Sequence, residues 1–348
     1  MIKILIADDS PFIRKVLRQI YKDSEEFQIV GEASNGSDAI DLVKILRPDI
    51  LILDLEMPVL NGFEALKVIM KEAPLPVIIF SSFNLKGAEQ TIKALEFGAI
   101  DYLTKPFASY DKIDVITKDL SAKIKNIVKS FRQSVKNQNS KSDKKSNLII
   151  GNCHNVNSRK IDLIVFGAST GGVQAASNIL PQFSGKTCPI VWVQHMPQNF
   201  TATFAERLND ISELNVKEAI DNEPLKKGYC YIAPGGKHIE IRNNSGRFSL
   251  HTFIGDEICT NKPSINVMFY SVSEHFSNNA IGVVLTGMGN DGAKGILAMH
   301  KAGAFTIGQN KETSVIYGMP KAAKDKGAID IELPLEKIAD YINKLSFF

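Results

Sequence analysis

A chain of 348 residues exceeds what one ordinary core uses, so domains of roughly 100 to 200 residues argue for two. Hydrophobic and charged fractions of 44% and 23% exclude a disordered or fibrous chain, and no apolar run approaches the ~18 residues of a membrane span. The net charge of +3 is uneven: 15 Lys+Arg against 19 Asp+Glu in residues 1–123, 9 against 1 in 124–160, and 17 against 18 in 161–348. The basic excess therefore lies in one short segment, which argues against a nucleic-acid footprint on either domain.

The chain opens on Met1-Ile2-Lys3-Ile4-Leu5-Ile6-Ala7-Asp8-Asp9, without a basic leader or cleavage site. Its four cysteines (Cys153, Cys188, Cys230, Cys259) are scattered and form no C-x-x-C pair, so neither a disulfide framework nor a zinc site is indicated. The expectation is a reduced, cytoplasmic protein without membrane insertion.

Strand and helix patterns then alternate, the signature of βα units around a parallel sheet. Strands are predicted at 3–8, 29–33, 49–54, 76–81 and 101–104, with helices between them. A last helix over 109–131 carries Ile113, Ile116, Leu120, Ile124, Ile127 and Phe131 at helical spacing. Its final two turns run past the expected sheet and are predicted to pack on the second domain.

Five chemistry-bearing residues fall at strand ends in this half. Asp8 and Asp9 follow the first strand, Asp54 the third, Ser81 ends the fourth, and Lys105 follows the fifth. Three carboxylates in one crevice repel unless a cation sits among them, and oxygen-only ligands at this charge suit Mg²⁺. A hydroxyl and an ammonium beside them could hold phosphoryl oxygens. Single Asp and Ser residues at such turns are ordinary helix caps; five together are not.

Residues 132–158 are rich in Ser, Asn and Lys and read as a linker. Alternation resumes at 161. Helices are predicted after Gly172, Asn199 and Gly292, with strands at 190–193, 280–285 and 304–308. Residues 228–234, 237–242 and 247–253 are expected to form an antiparallel meander whose Asn243-Asn244-Ser245-Gly246 tip suits a hairpin.

In this half Gly167-Ala168-Ser169-Thr170-Gly171-Gly172 follows a strand and matches the G-x-S-x-G nucleophile turn, with the serine expected in a strained conformation and the Thr170 amide near an oxyanion. Of six histidines only His195 ends a parallel strand; His154 lies in the linker, His238 and His251 in the meander, His275 and His300 in helical stretches. Asp291, after another strand, either orients the imidazole or caps the helix beginning near Gly292. A dinucleotide loop is disfavoured, because the spacing is not G-x-G-x-x-G and no acid ends the next strand.

Residues 1–123 resemble the receiver domain of two-component response regulators through Asp8-Asp9-Ser10, Asp54-Leu55-Glu56-Met57-Pro58, Ser81-Ser82 and Thr104-Lys105-Pro106. The resemblance implies that Asp54 accepts the phosphoryl group, that Asp8, Asp9, Asp54 and the backbone carbonyl of Glu56 form the Mg²⁺ site, and that Ser81, Lys105 and Tyr102 sense the phosphate. The second domain, taken as 159–348, resembles the catalytic domain of the CheB chemotaxis methylesterases over most of residues 160–335. The matching pieces include the Ser169 turn, Gln194-His195-Met196-Pro197, Tyr231-Ile232-Ala233-Pro234-Gly235, Lys262-Pro263-Ser264, Leu285 to Gly292 and Gly318-Met319-Pro320.

The implied fold is a flavodoxin-like (βα)5 receiver, a helix end and linker over 124–158, and a doubly wound, mainly parallel α/β esterase with an antiparallel insertion. The implied roles are Ser169 nucleophile, His195 general base, Asp291 its orienting acid, and the amides of Thr170 and Met288 as oxyanion donors, with no cofactor in the esterase. The implied function is phosphorylation-activated hydrolysis of glutamyl γ-methyl esters on methyl-accepting chemotaxis receptors, with glutamine deamidation by the same route and a CheA-type histidine kinase as phosphodonor. The receiver is expected to cover the esterase crevice until phosphorylated. A response regulator outside chemotaxis with a related hydrolase output is the alternative. Two positions depart from the family's common pattern: Asn266, where an aspartate is usual, and the neighbourhood of Asn310, where an acidic residue is usual; neither is expected to touch the triad.

Overall fold

A computed structural model describes residues 1–82, 84–105, 113–139, 160–255 and 261–346. The central linker, with Cys153, His154 and Leu148 to Ile150, and also Pro106 and Cys259, lie outside the described residues. The chain divides into two compact units, 1–140 and 141–348.

In the first unit the strands β1 (Ile2–Ala7), β2 (Phe27–Ala33), β3 (Ile50–Leu53), β4 (Val77–Ser81) and β5 (Asp101–Thr104) alternate with α1 (Pro11–Tyr21), α2 (Gly36–Leu46), α3 (Gly62–Glu72), α4 (Leu85–Glu96) and α5 (Ile113–Asn139). The sheet is parallel with order β2-β1-β3-β4-β5, the flavodoxin-like arrangement. Ile4, Leu5 and Ile6 on β1 and Ile50 to Leu53 on β3 are all buried, as strands covered on both faces must be. The side chains of Ser10, Asn35, Asn61 and Asn84 each accept an amide from the first turn of α1 to α4, so these four strand-to-helix turns each end in a proper cap.

The last helix, α5, runs on to Asn139. Leu120, Ile124, Ile127 and Val128 are buried, and the helix is tied to its own unit by ion pairs of Lys125 with Glu26 and of Arg132 with Asp49, both within 2.7 Å. Of Ile113 and Ile116 the side chains lie outside the described residues.

The second unit holds β6 (Leu163–Ala168), α6 (Gly172–Ile179), β7 (Ile190–Gln194), α7 (Phe200–Ile211), β8 (Asn215–Glu218), β9 (Tyr229–Ile232), β10 (His238–Asn244), β11 (Arg247–Phe253), α8 (Ile265–His275), β12 (Ala280–Val284), α9 (Ala293–Lys301), β13 (Phe305–Gln309), α10 (Met319–Asp325), β14 (Ile331–Leu333) and α11 (Leu335–Ser346). Seven strands form a parallel sheet in the order β14-β13-β12-β6-β7-β9-β8, and β10 pairs with β11 in a separate antiparallel hairpin. The chain runs outward from β6 on one side and returns through β12 on the other. The switch point, where such sheets bind ligands, is therefore between β6 and β12.

The antiparallel insertion is smaller than expected: β9 joins the main sheet parallel to β7, and only the hairpin stands apart. Its tip is as expected, with Ser245 and Gly246 at φ of 54° and 86°, the left-handed pair that a two-residue turn needs. No described helix is long and apolar enough to cross a membrane. Cys188 and Cys230 are buried free thiols, and burial pushes Cys188 up to about 12.

Candidate functional site

Two sites lie at carboxyl ends of strands, one in each unit. In the first, Ala7 of β1 pairs with Leu53 of β3, so Asp8 and Asp54 leave the sheet side by side. Oxygens of Asp8, Asp9 and Asp54 lie within 4.8 Å of one another. Asp8 and Asp54 are buried, and Lys105 Nζ stands 2.8 Å from Asp8 Oδ2 and 2.7 Å from Asp54 Oδ2. The contact with Asp8 is an ion pair by distance only, since Asp8 Oδ2 is buried without an aligned hydrogen bond.

Burial pushes the Asp54 carboxyl up to about 6, with Asp8 adding to the rise while Lys105 and the Glu56 amide oppose it. One ammonium thus leaves three carboxylates under-compensated. Oxygens sharing an Mg²⁺ octahedron at about 2.1 Å are separated by no more than about 4.2 Å, a spacing comparable with the bound of 4.8 Å on this trio. The residual negative charge of the three carboxylates fits such a cation. Ser81 Oγ donates to the carbonyls of Gly87 (3.2 Å) and Ser82 (3.3 Å), and Tyr102 is buried on β5.

In the second unit Ser169 follows β6, His195 follows β7, and Asp291 lies beyond β12. Ala168 pairs with Gln194 in register, the His195 amide donates to Ala168 O (3.2 Å), and the Ser169 amide donates to Thr286 O (3.0 Å). These bonds put the serine between the two strands that carry its partners. His195 Nε2 lies 2.8 Å from Asp291 Oδ2. No hydrogen bond joins Ser169 Oγ to His195 among the described residues, a looseness common before substrate arrives. Ser169 does not take a left-handed backbone; the positive φ of 82° falls on Gly171 instead, so the turn is relieved at the glycine and not strained at the serine.

Asp291 does more than either expected role. Its carboxylate accepts from Ser264 Oγ (3.1 Å) and from the amides of Ile265 (2.8 Å), Asn266 (3.1 Å) and Gly292 (2.9 Å), besides facing His195. Ser264, the N-cap of α8, makes no cap bond of its own; Asp291 caps α8 from another strand end, not the helix after Gly292. Burial alone would raise this carboxyl, but the His195 contact and the α8 amides outweigh it and hold the pKa below the usual range.

Asp291→Asn should therefore cost stability as well as disturb His195, because its NH₂ would meet one of these donors head-on. We expect a loss of about 1–3 kcal/mol, read as a fall of some degrees in the second unit's thermal midpoint by circular dichroism. An unchanged midpoint would show that the cap is dispensable.

Several participants gave no sign of a role beforehand. Gln194 Nε2 donates to Ser169 O (2.8 Å). Thr286 Oγ1 donates to Thr170 O (2.9 Å), while Gln309 Oε1 accepts the Thr286 amide (2.8 Å). His238 Nδ1 accepts the Ser264 amide (3.2 Å), and burial with the nearby Lys262 charge keeps it neutral-leaning. Gln194 and Ser264 stood inside conspicuous motifs, but nothing in one sequence says which neighbour a buried amide will grip. Against expectation Asn266 touches the triad: it contributes its amide to Asp291 and its Oδ1 to the Gly295 amide (2.8 Å), a bond that an acid here could also accept. Asn310 Oδ1 accepts from the amide and hydroxyl of Thr313.

Comparison with known proteins agrees with this division. The response regulator receiver domain model matches residues 4–117 and the CheB methylesterase model residues 164–342. A protein of Sulfurimonas denitrificans named protein-glutamate methylesterase/protein-glutamine glutaminase is 41% identical, covering 97% of this chain and 96% of its own. Its namesake in Salmonella typhimurium is 37% identical over 97% and 95% of the two chains. The crystal structure of the Thermotoga maritima CheB methylesterase catalytic domain is 39% identical, with a TM-score of 0.52, over 54% of this chain and 99% of that one.

A parallel five-stranded receiver in front of a doubly wound α/β unit of hydrolase type defines a response regulator whose output is enzymatic. More particularly, the chain belongs to the CheB methylesterase family.

Proposed function

We propose that this protein is a phosphorylation-activated serine esterase that hydrolyses glutamyl γ-methyl esters on methyl-accepting chemotaxis receptors, and deamidates receptor glutamines by the same route. The observation that carries the reading is the 2.8 Å contact of His195 Nε2 with Asp291 Oδ2, one strand away from Ser169. The substrate class comes from the names its relatives bear.

With Asp291 held anionic, His195 keeps its proton on Nε2, which leaves Nδ1 as the basic nitrogen. Ser169 Oγ bonds to the γ-carbonyl carbon as Nδ1 takes its proton. The tetrahedral oxyanion is met by the amides of Thr170 and Met288, aided by the field at the start of α6. The C–O bond to the methoxy group then breaks, and the proton on Nδ1 leaves with it as methanol. Water, deprotonated by Nδ1, attacks the acyl-enzyme; Ser169 regains its proton and glutamate is released. From glutamine the leaving group is ammonia.

In the receiver Asp54 attacks the phosphorus of the donor, a CheA-type histidine kinase, with Lys105 and Ser81 reaching phosphoryl oxygens and Tyr102 following Ser81. Asp8, Asp9, Asp54 and the Glu56 carbonyl are the groups that would hold Mg²⁺, which when bound supplies charge neutralisation. The domains are taken as receiver 1–123, helix end and linker 124–158, and esterase 159–348, in a cytoplasmic protein.

The test is incubation with receptor membranes carrying tritiated methyl esters, scoring volatile methanol. Release well above a protein-free control is expected; background release with phosphorylated protein would overturn the reading.

A further inference from the structure

We infer that Gln194 is a positioning residue that aims the oxyanion-binding amide of the esterase site. The inference rests on the reading of Ser169 as nucleophile and deepens it. In a planar trans peptide the carbonyl and the N–H point in opposite directions, so whatever grips the oxygen also aims the hydrogen. The Ser169 carbonyl belongs to the same peptide as the Thr170 N–H. That carbonyl accepts two bonds of 2.8 Å, from Gln194 Nε2 and from the Gly172 amide.

The second donor peptide is held in a parallel way. The Gly287 carbonyl, in one peptide with the Met288 N–H, accepts the Met319 amide at 2.9 Å from the start of α10. Gly287 also adjoins the serine: a Cβ on it would lie 2.8 Å from Ser169 Cβ. Both carbonyls are thus gripped from behind, one by backbone and one partly by a side chain. Donors on a carbonyl oxygen polarise the peptide and strengthen its N–H as a donor.

The cost side shows that Gln194 is not there for packing. The residue is 3% exposed, and its Oε1 is buried with no hydrogen-bond partner among the described residues. The amide cannot turn round, since its oxygen would then face the Ser169 carbonyl. An apolar side chain of similar length would remove the orphan acceptor, so a purely structural role predicts that Gln194→Met is neutral or stabilising.

The experiment uses the full-length chain activated by a small acyl phosphate, with steady-state methanol release from receptor methyl esters. For Gln194→Met we expect kcat to fall about ten- to a hundredfold, less than or equal to the loss of a direct oxyanion donor, with KM within about twofold and the thermal midpoint equal or higher. A wild-type kcat, or a fall in kcat matched by a lower midpoint, would overturn the inference. Should that variant not melt cooperatively, Gln194→Asn decides, because it retracts the same amide by one methylene: selective loss of kcat supports the role and a wild-type kcat removes it. Ser169→Ala in the same assay separates the two layers. If it turns over normally the nucleophile reading fails; if it is inactive while Gln194→Met runs at full rate, only the role of Gln194 fails.

Discussion

Ser169→Ala should abolish methanol release, by at least about 10⁴-fold and toward the ~10⁶ seen where a triad acts as a unit. The change removes one hydroxyl from a half-buried turn whose backbone bonds, from the Ser169 amide to Thr286 O and from Gln194 and Gly172 to Ser169 O, all remain. Stability should therefore stay within about 1 kcal/mol of wild type, and Asp54 should still take up label. His195→Ala should be about equally inactive, since members of a triad do not add. Asp291→Asn should be no worse than Ser169→Ala, because it leaves nucleophile and base in place. A Ser169→Ala protein that released methanol at the wild-type rate would end the assignment, whatever the state of the receiver.

Asp54→Asn should take up no label from a small acyl phosphate, and its esterase activity should not respond to the donor. In the wild type, labelling should require Mg²⁺. Oxygens of Asp8, Asp9 and Asp54 lie within 4.8 Å of one another, and among the described residues Lys105 is the one cation paired with these carboxylates, so an anionic donor meets net negative charge until a cation is bound. Substitution by Asn removes the attacking carboxylate and keeps the shape. Activation should appear as a rise in methanol release with the time course of labelling, each tenfold corresponding to about 1.4 kcal/mol of bias between states. Labelling of Asp54→Asn at the wild-type rate would place the acceptor elsewhere.

Much of this was legible because parallel sheets write their chemistry at strand ends. β1, β3, β4 and β5 match their predicted bounds to within two residues, and Asp8, Asp54 and Lys105 from the ends of β1, β3 and β5 meet in the first crevice. Ser169, His195 and Asp291 follow or lie beyond three neighbouring strands, as the alternation implied. What stayed hidden depends on partners distant in sequence. β9 looks like part of a meander by composition, but its pairing with β7 is a matter of tertiary register. Asp291 sits one residue before Gly292 and reads as a local cap, whereas its real partners are 25 to 27 residues away at Ser264 to Asn266. The short strands β8 and β14, four and three residues long, carry too little periodicity to be read.

The several bonds converging on Asp291 have an implication for how this enzyme can decay. A gene released from selection for catalysis can lose the Ser169 hydroxyl at little cost to folding, and His195 at the cost of its one contact with Asp291. It cannot discard Asp291 so freely, because α8 would be left with open amides at its start. Silent descendants of such an enzyme, kept for binding alone, should then keep the aspartate longest, and an intact Asp291 in a homologue testifies to a folded domain, not to a working one.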